Sequence, residues 1–267
     1  MKNDNMAIHF VKDENVKVWD LKMNLEWIRS ITINNNKGMI ELNNGNLICL
    51  SKNLIAWSYE TKELVCNLES DGYRYYSFAY LNDNRLVGGS KGNLAFWDFN
   101  DNCNKKVYTS LLFADLKIHL IKSLNNDQYI AIVVSGTQIL IWDLKLNIVK
   151  YKFLQVLGKV NALEVLDDEH LASGHDDGRI IVWNIKQESI KFDLNKKNSV
   201  KSLKLLRNIY LAAGYQDGSI IIWNLNTKLV ETIQRIHREE IVGLGLLKNG
   251  LLVSGSKDGE IIEWFIS

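Results

Sequence analysis

The sequence contains no proline, and its cysteines are few. Without proline, tight turns depend on Gly, Asn and Asp, which tolerate the backbone angles that such turns require. The three cysteines, Cys49, Cys66 and Cys103, are odd in number and include no Cys-x-x-Cys pair. This usage argues against a disulfide framework and a zinc site, and it predicts buried, unpaired thiols in a reducing, cytoplasmic compartment.

Long apolar runs and an excess of one charge are also missing. The longest apolar run covers residues 129–134, whereas a membrane-spanning helix needs about 20 residues. The start of the chain, residues 1–5, is polar, so we expect no signal peptide. The formal net charge is +1, which gives the chain as a whole no attraction to nucleic acid or to anionic lipid. We therefore expect neither nucleic acid nor a membrane as a partner.

The main feature that is present is an internal repeat. Residues 170–185 (HLASGHDDGRIIVWNI), 210–225 (YLAAGYQDGSIIIWNL) and 251–266 (LLVSGSKDGEIIEWFI) align without a gap, and looser copies precede them. The tryptophans in phase with the repeat are Trp19, Trp57, Trp97, Trp142, Trp183, Trp223 and Trp264. The last three are 40 and 41 residues apart, a period typical of repeat architectures.

One repeat unit has the pattern of a four-stranded sheet. The pairs that begin at Asp177, Asp217 and Asp258 are Asp-Gly, which suits a tight hairpin because Gly accepts a positive φ. The apolar run that follows each pair is typical of a strand covered on both faces. Such sheets must stack on neighbours, and radial stacking produces a propeller.

The pattern of strand, Asp-Gly turn, strand and Trp-Asp or Trp-Asn resembles the WD-repeat family over essentially the whole chain. The resemblance implies an all-β fold, a WD-repeat β-propeller formed by residues 1–267 as a single domain. It also implies a buried polar network of His, Ser, Asp and Trp within a repeat. By position, the last repeat alone keeps all four of these residues, as His237, Ser254, Asp258 and Trp264. The two repeats before it keep the Asp and the Trp but lack the His.

The number of sheets stays open at this point. Only 18 residues precede Trp19 and 3 follow Trp264, together enough for about two strands. One interpretation has seven repeats, of which the first lacks its innermost strand. The other has six closed blades, with a strand near residues 25–31 completing the last blade and residues 1–20 as an accessory hairpin. A truncated sequence would show the same pattern.

No residue constellation predicts catalysis, a metal or another cofactor. The most suggestive group is His175 with Asp176 and Asp177, but it falls in a hairpin turn where polar residues are expected. We therefore expect no enzyme activity, no cofactor and no small-molecule substrate. Metal uptake abolished by His175→Ala would contradict this expectation.

The predicted function is a non-catalytic scaffold, or a subunit of a multiprotein assembly, that binds other proteins through its loops. In WD-repeat proteins the usual surface is the narrow end, formed by the Asp-Gly hairpins and the loops that lead into the innermost strands. Mapping those positions gives Lys37, Arg74, Lys91, Lys159, His175, Asp176, Tyr215, Gln216, Glu240 and Lys257. Cations exceed acids among them, so the alternative is a reader of acidic or phosphorylated peptides, or a substrate adaptor that uses this basic rim.

Overall fold

The structure is a computed structural model of the chain. Up to residue 68 it describes the backbone of the strands given below. With side chains it describes Cys66, Leu68 and residues 72–101, 103–108, 115–124, 128–153, 158–207, 209–235, 237–247 and 250–264. The chain divides into two compact units, Met1–Asp115 and Leu116–Ser267. The single domain expected from the repeat stays a prediction.

Unit 1 contains three antiparallel sheets. In the part of unit 1 that the structure describes, sheet 1 has three strands, in the order β1-β2-β3, and sheets 2 and 3 have four each. The strands of unit 1 are β1 (Asn5–His9), β2 (Val16–Asp20), β3 (Leu25–Arg29), β4 (Met39–Glu41), β5 (Asn46–Leu50), β6 (Leu54–Ser58), β7 (Leu64–Leu68), β8 (Ser77–Tyr80), β9 (Arg85–Gly89), β10 (Asn93–Asp98) and β11 (Asn104–Thr109).

Unit 2 contains four antiparallel sheets. Sheets 4, 5 and 6 have four strands each, and sheet 7 has three in the described part of the chain. The strands of unit 2 are β12 (Ile118–Ser123), β13 (Tyr129–Val134), β14 (Gln138–Asp143), β15 (Ile148–Phe153), β16 (Val160–Val165), β17 (His170–His175), β18 (Arg179–Asn184), β19 (Ser189–Asn195), β20 (Val200–Leu206), β21 (Tyr210–Tyr215), β22 (Ser219–Asn224), β23 (Val230–Arg235), β24 (Ile241–Leu246), β25 (Leu252–Ser256) and β26 (Ile261–Trp264). No helix in the described residues has the length and apolar character needed to cross a membrane.

The sheets agree with the seven-repeat interpretation. In each four-stranded sheet the tryptophan lies on the third strand, and Trp19 lies on β2, which pairs with β1 on one side and β3 on the other. Sheet 1 therefore has the second, third and fourth strands of a repeat. The strand that the six-blade interpretation assigned to the last blade is β3, and it belongs to sheet 1.

The core of unit 2 consists of apolar layers between successive sheets. Trp183 packs with Ile139 and Ile141 of the preceding sheet, and its ring centroid is 4.9 Å from that of Phe153. On the other face of β18, Ile180 packs with residues of sheet 6. A strand between two neighbours must be apolar on both faces, which explains the continuous run that the sequence shows there.

Cys66 and Cys103 form a disulfide bond. The prediction of three unpaired thiols is therefore wrong for these two residues, and the cysteines no longer support a reducing compartment. Cys66 lies on β7, the last strand of sheet 2, and Cys103 immediately precedes β11, the last strand of sheet 3. Their separation of 37 residues is close to one repeat. Stacking of consecutive sheets brings such positions together, and a search for closely spaced cysteines does not detect this.

Candidate functional site

The Asp-Gly hairpins have the geometry that the sequence predicts. Gly178, Gly218 and Gly259 have φ values of 91°, 80° and 86°. In each hairpin the aspartate Oδ1 accepts the backbone N–H two residues later, at 3.1 Å for Asp177, 3.0 Å for Asp217 and 2.9 Å for Asp258. The three carboxylates therefore stabilise turns. We call the end of the sheets in unit 2 that carries these hairpins and the turn at residues 135–136 the hairpin end.

The last repeat brings its four polar residues together. Trp264 Nε1 donates to Ser254 Oγ at 2.8 Å, which leaves the hydroxyl proton of Ser254 to donate to His237 Nε2 at 2.7 Å. The Nδ1 atom of His237 then faces Asp258 Oδ2 at 3.7 Å. Ser254 and His237 are buried, so their polar atoms need partners. This order of donors satisfies the indole N–H, the serine hydroxyl and His237 Nε2, whereas His237 Nδ1 is close to the Asp258 carboxylate but makes no hydrogen bond.

The fifth repeat contains a similar network, but its histidine, His175, is the last residue of the second strand of the sheet, whereas His237 precedes the first strand of its sheet. Trp183 Nε1 donates to Ser173 Oγ at 2.7 Å, and His175 Nε2 lies 2.8 Å from the same oxygen. His175 is 0% exposed, and burial is the largest influence that lowers its pKa below the ordinary value of 6.5. Burial therefore favours the neutral form of the imidazole.

The sixth repeat uses a tyrosine at the same position. Tyr215 is 0% exposed, and its hydroxyl oxygen accepts a hydrogen bond from Trp223 Nε1 at 3.3 Å. Burial raises the pKa of Tyr215 to about 12. Ala213 stands where the fifth repeat has Ser173, so the tyrosine hydroxyl replaces both the serine and the histidine.

The prediction that His175 and Tyr215 lie on a partner-binding surface is therefore wrong. Strands β17 and β21 end at these two residues and not before them. Since alternate residues of a strand share a face, His175 lies on the same face as Leu171 and Ser173. Strand alternation through residue 175 was the sequence signal that could have located it.

Several other predicted partner-binding residues lie at exposed loop positions. Those of unit 2 are Lys159, Asp176, Gln216 and Lys257. Within unit 1, Lys91 pairs with Asp115 at 2.9 Å, and the Arg74 guanidinium lies 5.7 Å from the centroid of the Tyr76 ring. Lys37 lies outside the described residues.

The acidic groups among these positions already have partners within the protein. Glu240 pairs with Lys257 at 3.0 Å and with Lys201 at 3.5 Å. Burial raises the pKa of Glu240, but the two lysines outweigh it and hold that pKa below its ordinary value. Asp176 Oδ1 accepts the backbone N–H of Lys159 at 2.8 Å. In unit 2 the charges at the predicted positions are therefore balanced, with Lys159 and Lys257 against Asp176 and Glu240.

Sequence reasoning missed His119, which lies beside Lys159. Burial, then Lys159 and Lys117, lower the pKa of His119 below 6.5. No motif marks His119, because it approaches Lys159 only through the stacking of sheets 4 and 5. Because its pKa is lowered, the neutral imidazole is favoured, and His119 adds a polar group and not a charge to this part of the hairpin end.

A metal-compatible geometry occurs at the last repeat. His237, Asp258 and Glu260 each place one potential ligand atom within 4.8 Å of the others. Asp258, however, already accepts backbone N–H groups from Glu260 and Arg238, and His237 Nε2 is bonded to Ser254. This arrangement fits a hydrogen-bonded structural cluster. The group that the sequence suggested, His175 with Asp176 and Asp177, also makes hydrogen bonds within the protein. His175 is bonded to Ser173, and Asp177 is bonded to Arg179.

Comparisons with known proteins agree with this fold. Residues 152–184 match the WD40 family model, described as "WD domain, G-beta repeat". A chain of the solved structure "Crystal Structure of Mitotic Checkpoint Complex" superposes with a TM-score of 0.84 at 15% sequence identity. The match covers 98% of this chain and 84% of that chain, and 1708 chains of solved structures match in all. A search of the curated proteins finds no match. The predicted all-β WD-repeat propeller fold is confirmed.

Proposed function

Since the chain is a WD-repeat protein with a β-propeller fold, we propose that it is a non-catalytic protein-interaction scaffold that binds partners through the hairpin end. The observation that carries this proposal is the linkage of successive sheets at and near that end. Val160 N, at the start of sheet 5, donates to the Gly136 carbonyl of sheet 4 at 2.7 Å. Asn161 Nδ2 donates to the Val200 carbonyl of sheet 6 at 3.1 Å. The loops of neighbouring sheets are therefore held in register.

A second linkage extends this order to sheet 7. Leu244 N donates to Ser202 Oγ of sheet 6 at 3.1 Å, and Lys201 pairs with Glu240 across the same two sheets. Exposed side chains such as Gln216 and Lys257 thus project from backbone that is fixed by hydrogen bonds. A preorganised surface of this kind loses little conformational entropy when a partner binds, which favours affinity.

The chemistry of the polar residues supports a binding role over catalysis. Asp177, Asp217 and Asp258 stabilise turns, and His175 and His237 are held in buried networks with serine hydroxyls. A general base has to reach its substrate with an available lone pair. These groups are engaged within the protein, so their arrangement favours stability of the sheets.

The proposal can be tested by photo-crosslinking. A photoreactive amino acid at Gln216 or at Lys257 should give adducts with one or a few defined proteins in extract of the source cells. The same residue at Gln187 is the matched control, because Gln187 is also exposed but lies in the turn after β18, at the opposite end of the sheet. Unmodified protein in excess should suppress the adducts. Equal labelling from Gln187, or adducts from none of the three positions, would contradict the proposal.

A further inference from the structure

Sheets 5 and 6 each have a glycine near the end of the second strand, and the following sheet fills the space above it. An ideal Cβ on Gly174, in β17, would overlap Val200 Cγ1 at the start of β20. A Cβ on Gly214, in β21, would likewise overlap Ile241 Cγ2 at the start of β24. Val200 and Ile241 are both 0% exposed. A β-branched side chain of the next sheet therefore packs directly on the backbone of each glycine.

The equivalent glycine of sheet 7 has no such neighbour among the described residues. The repeat aligns Gly255 with Gly174 and Gly214. The described atom nearest to an ideal Cβ on Gly255 is Val242 Cγ2, at 4.0 Å, and Val242 belongs to sheet 7 itself. Val242 is 56% exposed, so it does not cover the glycine as a neighbouring sheet would. We call the space above Gly255 the Gly255 socket.

The floor of this face of sheet 7 is bare backbone. Gly243 lies opposite Gly255, and Gly245 lies two residues further along β24, so the three glycines share one face. No described atom lies within 4 Å of an ideal Cβ on Gly243 or Gly245. The residue of sheet 6 equivalent to Gly243 is Ser202, whose Oγ links to the next sheet by accepting the N–H of Leu244. Sheet 7 thus offers a flat surface on which another backbone can approach closely.

A carboxylate lies on the same face. Val253 lies opposite Gly245 on one side and Glu263 on the other, which places Glu263 on the glycine face. Sheets 5 and 6 have Val182 and Ile222 at this position, where each is buried and packs against the following sheet. Glu263 is exposed and forms no ion pair with the residues that the structure describes. Because an unpaired charge beneath an apolar layer is costly, this position favours an occupant that brings a cation.

We propose that the glycine face of sheet 7 binds an extended segment of a partner protein that carries a Val or Ile and, beside it, a Lys or Arg. The β-branched side chain fills the Gly255 socket as Val200 and Ile241 fill the equivalent spaces of sheets 5 and 6. The cation pairs with Glu263, a diagonal neighbour of Gly255 at about 7–8 Å, which a long side chain can span. This inference goes beyond the scaffold proposal, because the face is separate from the loops of the hairpin end.

The segment that fills the space above Gly174 supplies the probe. It is the peptide Asn-Ser-Val-Lys-Ser-Leu-Lys-Leu-Leu, residues 198–206, with fluorescein at its amino end and an amide at the other. Fluorescence anisotropy measures its binding to the full chain, and we expect saturable binding. Replacing the valine of the peptide by glycine should weaken the affinity at least about tenfold, because the burial of that side chain is lost.

Filling the socket tests its location. Gly255→Val should abolish peptide binding, because the new side chain occupies the socket. The variant should fold, since Gly255 does not have a positive φ and the space above it is open; circular dichroism checks this. Ser189→Val is the matched control, because it adds a valine at an exposed position of β19. Its affinity for the peptide should equal that of the unmodified protein.

Exchange of charges tests the contact with Glu263. Glu263→Lys should weaken binding about fivefold, and a peptide with glutamate in place of both lysines should restore the affinity. Asp168→Lys is the control, because it makes the same change in net charge at an exposed turn before β17. It should leave the affinity for the original peptide unchanged and should gain nothing from the acidic peptide.

The inference would be overturned by the absence of saturable binding, by equal affinity in Gly255→Val and the unmodified protein, or by failure of the acidic peptide to rescue Glu263→Lys. A dimer of the unmodified chain in light scattering that Gly255→Val dissolves would also overturn it, by assigning the face to a second copy. Failure here is distinguishable from failure of the scaffold proposal. Crosslinks from Gln216 and Lys257 that persist in Gly255→Val would retain binding at the hairpin end.

Discussion

Replacing Ser173 by Ala should destabilise the protein far more than the loss of one hydroxyl at the surface would. Ser173 Oγ accepts Trp183 Nε1–H at 2.7 Å and lies 2.8 Å from His175 Nε2. The serine and the histidine are 0% exposed and the tryptophan is 2% exposed, so water cannot replace the lost oxygen. A buried polar group without a partner costs about 1–3 kcal/mol. Two such groups give an expected loss of roughly 2–6 kcal/mol in the free energy of unfolding.

The sixth repeat supplies the compensating change. There Ala213 and Tyr215 stand where the fifth repeat has Ser173 and His175, and the tyrosine oxygen accepts the Trp223 indole N–H. The double variant Ser173→Ala with His175→Tyr should therefore restore an acceptor for Trp183. It should also recover at least about 1 kcal/mol relative to Ser173→Ala alone, the value of one buried hydrogen bond.

Urea unfolding followed by both circular dichroism and tryptophan fluorescence measures these differences, and agreement between the two probes tests for a single transition. Ser189→Ala is the control, because Ser189 is exposed and its change should stay within about 0.5 kcal/mol. The reasoning is refuted if Ser173→Ala behaves like this control, or if the double variant is no more stable than the single one.

Three other predictions concern acid, the disulfide and a glycine. Since burial holds the folded-state pKa of His175 below 6.5, its contribution to stability is complete above pH 6.5 and is lost as the pH falls toward the folded pKa. The Ser173→Ala, His175→Tyr variant should show a smaller loss of urea midpoint over that range, and an unchanged loss would count against a buried neutral imidazole. Denatured, unreduced protein should contain one reactive thiol and reduced protein three, because Cys66 and Cys103 are bonded. Cys66→Ser with Cys103→Ser should lower the free energy of unfolding by about 4 kcal/mol, the loop-closure value for a 37-residue separation; three thiols before reduction would refute the bond. Gly178→Ala should destabilise the chain more than Gly259→Ala in the same unfolding assay. Both glycines have a positive φ, but a Cβ at Gly178 would overlap the Lys196 carbonyl oxygen, whereas nothing lies within 4 Å at Gly259. Equal losses in the free energy of unfolding for the two variants would show that the positive φ alone determines the cost of the substitution.

The burial of His175 and Tyr215 removes both rings from the surface of the hairpin end. With His175 and Tyr215 inside the sheets, the exposed groups there are charged or amide side chains from short loops, such as Lys159, Gln216 and Lys257. Aromatic anchors of the kind common at binding hot spots are missing from the exposed members of the predicted positions that the structure describes in unit 2. Recognition at this end is therefore expected to depend on charge and hydrogen bonding, and affinity for a partner should weaken as salt increases.

The sequence by itself determined the type of fold and the position of its turns. The recurrence of tryptophan near every 40 residues, with Asp-Gly before an apolar run, predicted sheets of antiparallel strands. Asp177, Asp217 and Asp258 all stabilise the hairpins that this pattern indicates. These features depend on residues that are close in sequence, where backbone preference and strand alternation dictate the structure.

Only the tertiary structure decided which side chains meet across different sheets. The pairing of Cys66 with Cys103 and the approach of His119 to Lys159 each join residues that are about one repeat apart. The assignment of His175 to a buried network depended on where β17 ends, which is fixed by its pairing of His175 with Val160. A repeat pattern defines each sheet but leaves open how far its strands extend and which positions of neighbouring sheets come together. Stacking determines both, because burial between two sheets selects the residues that must be apolar or hydrogen-bonded.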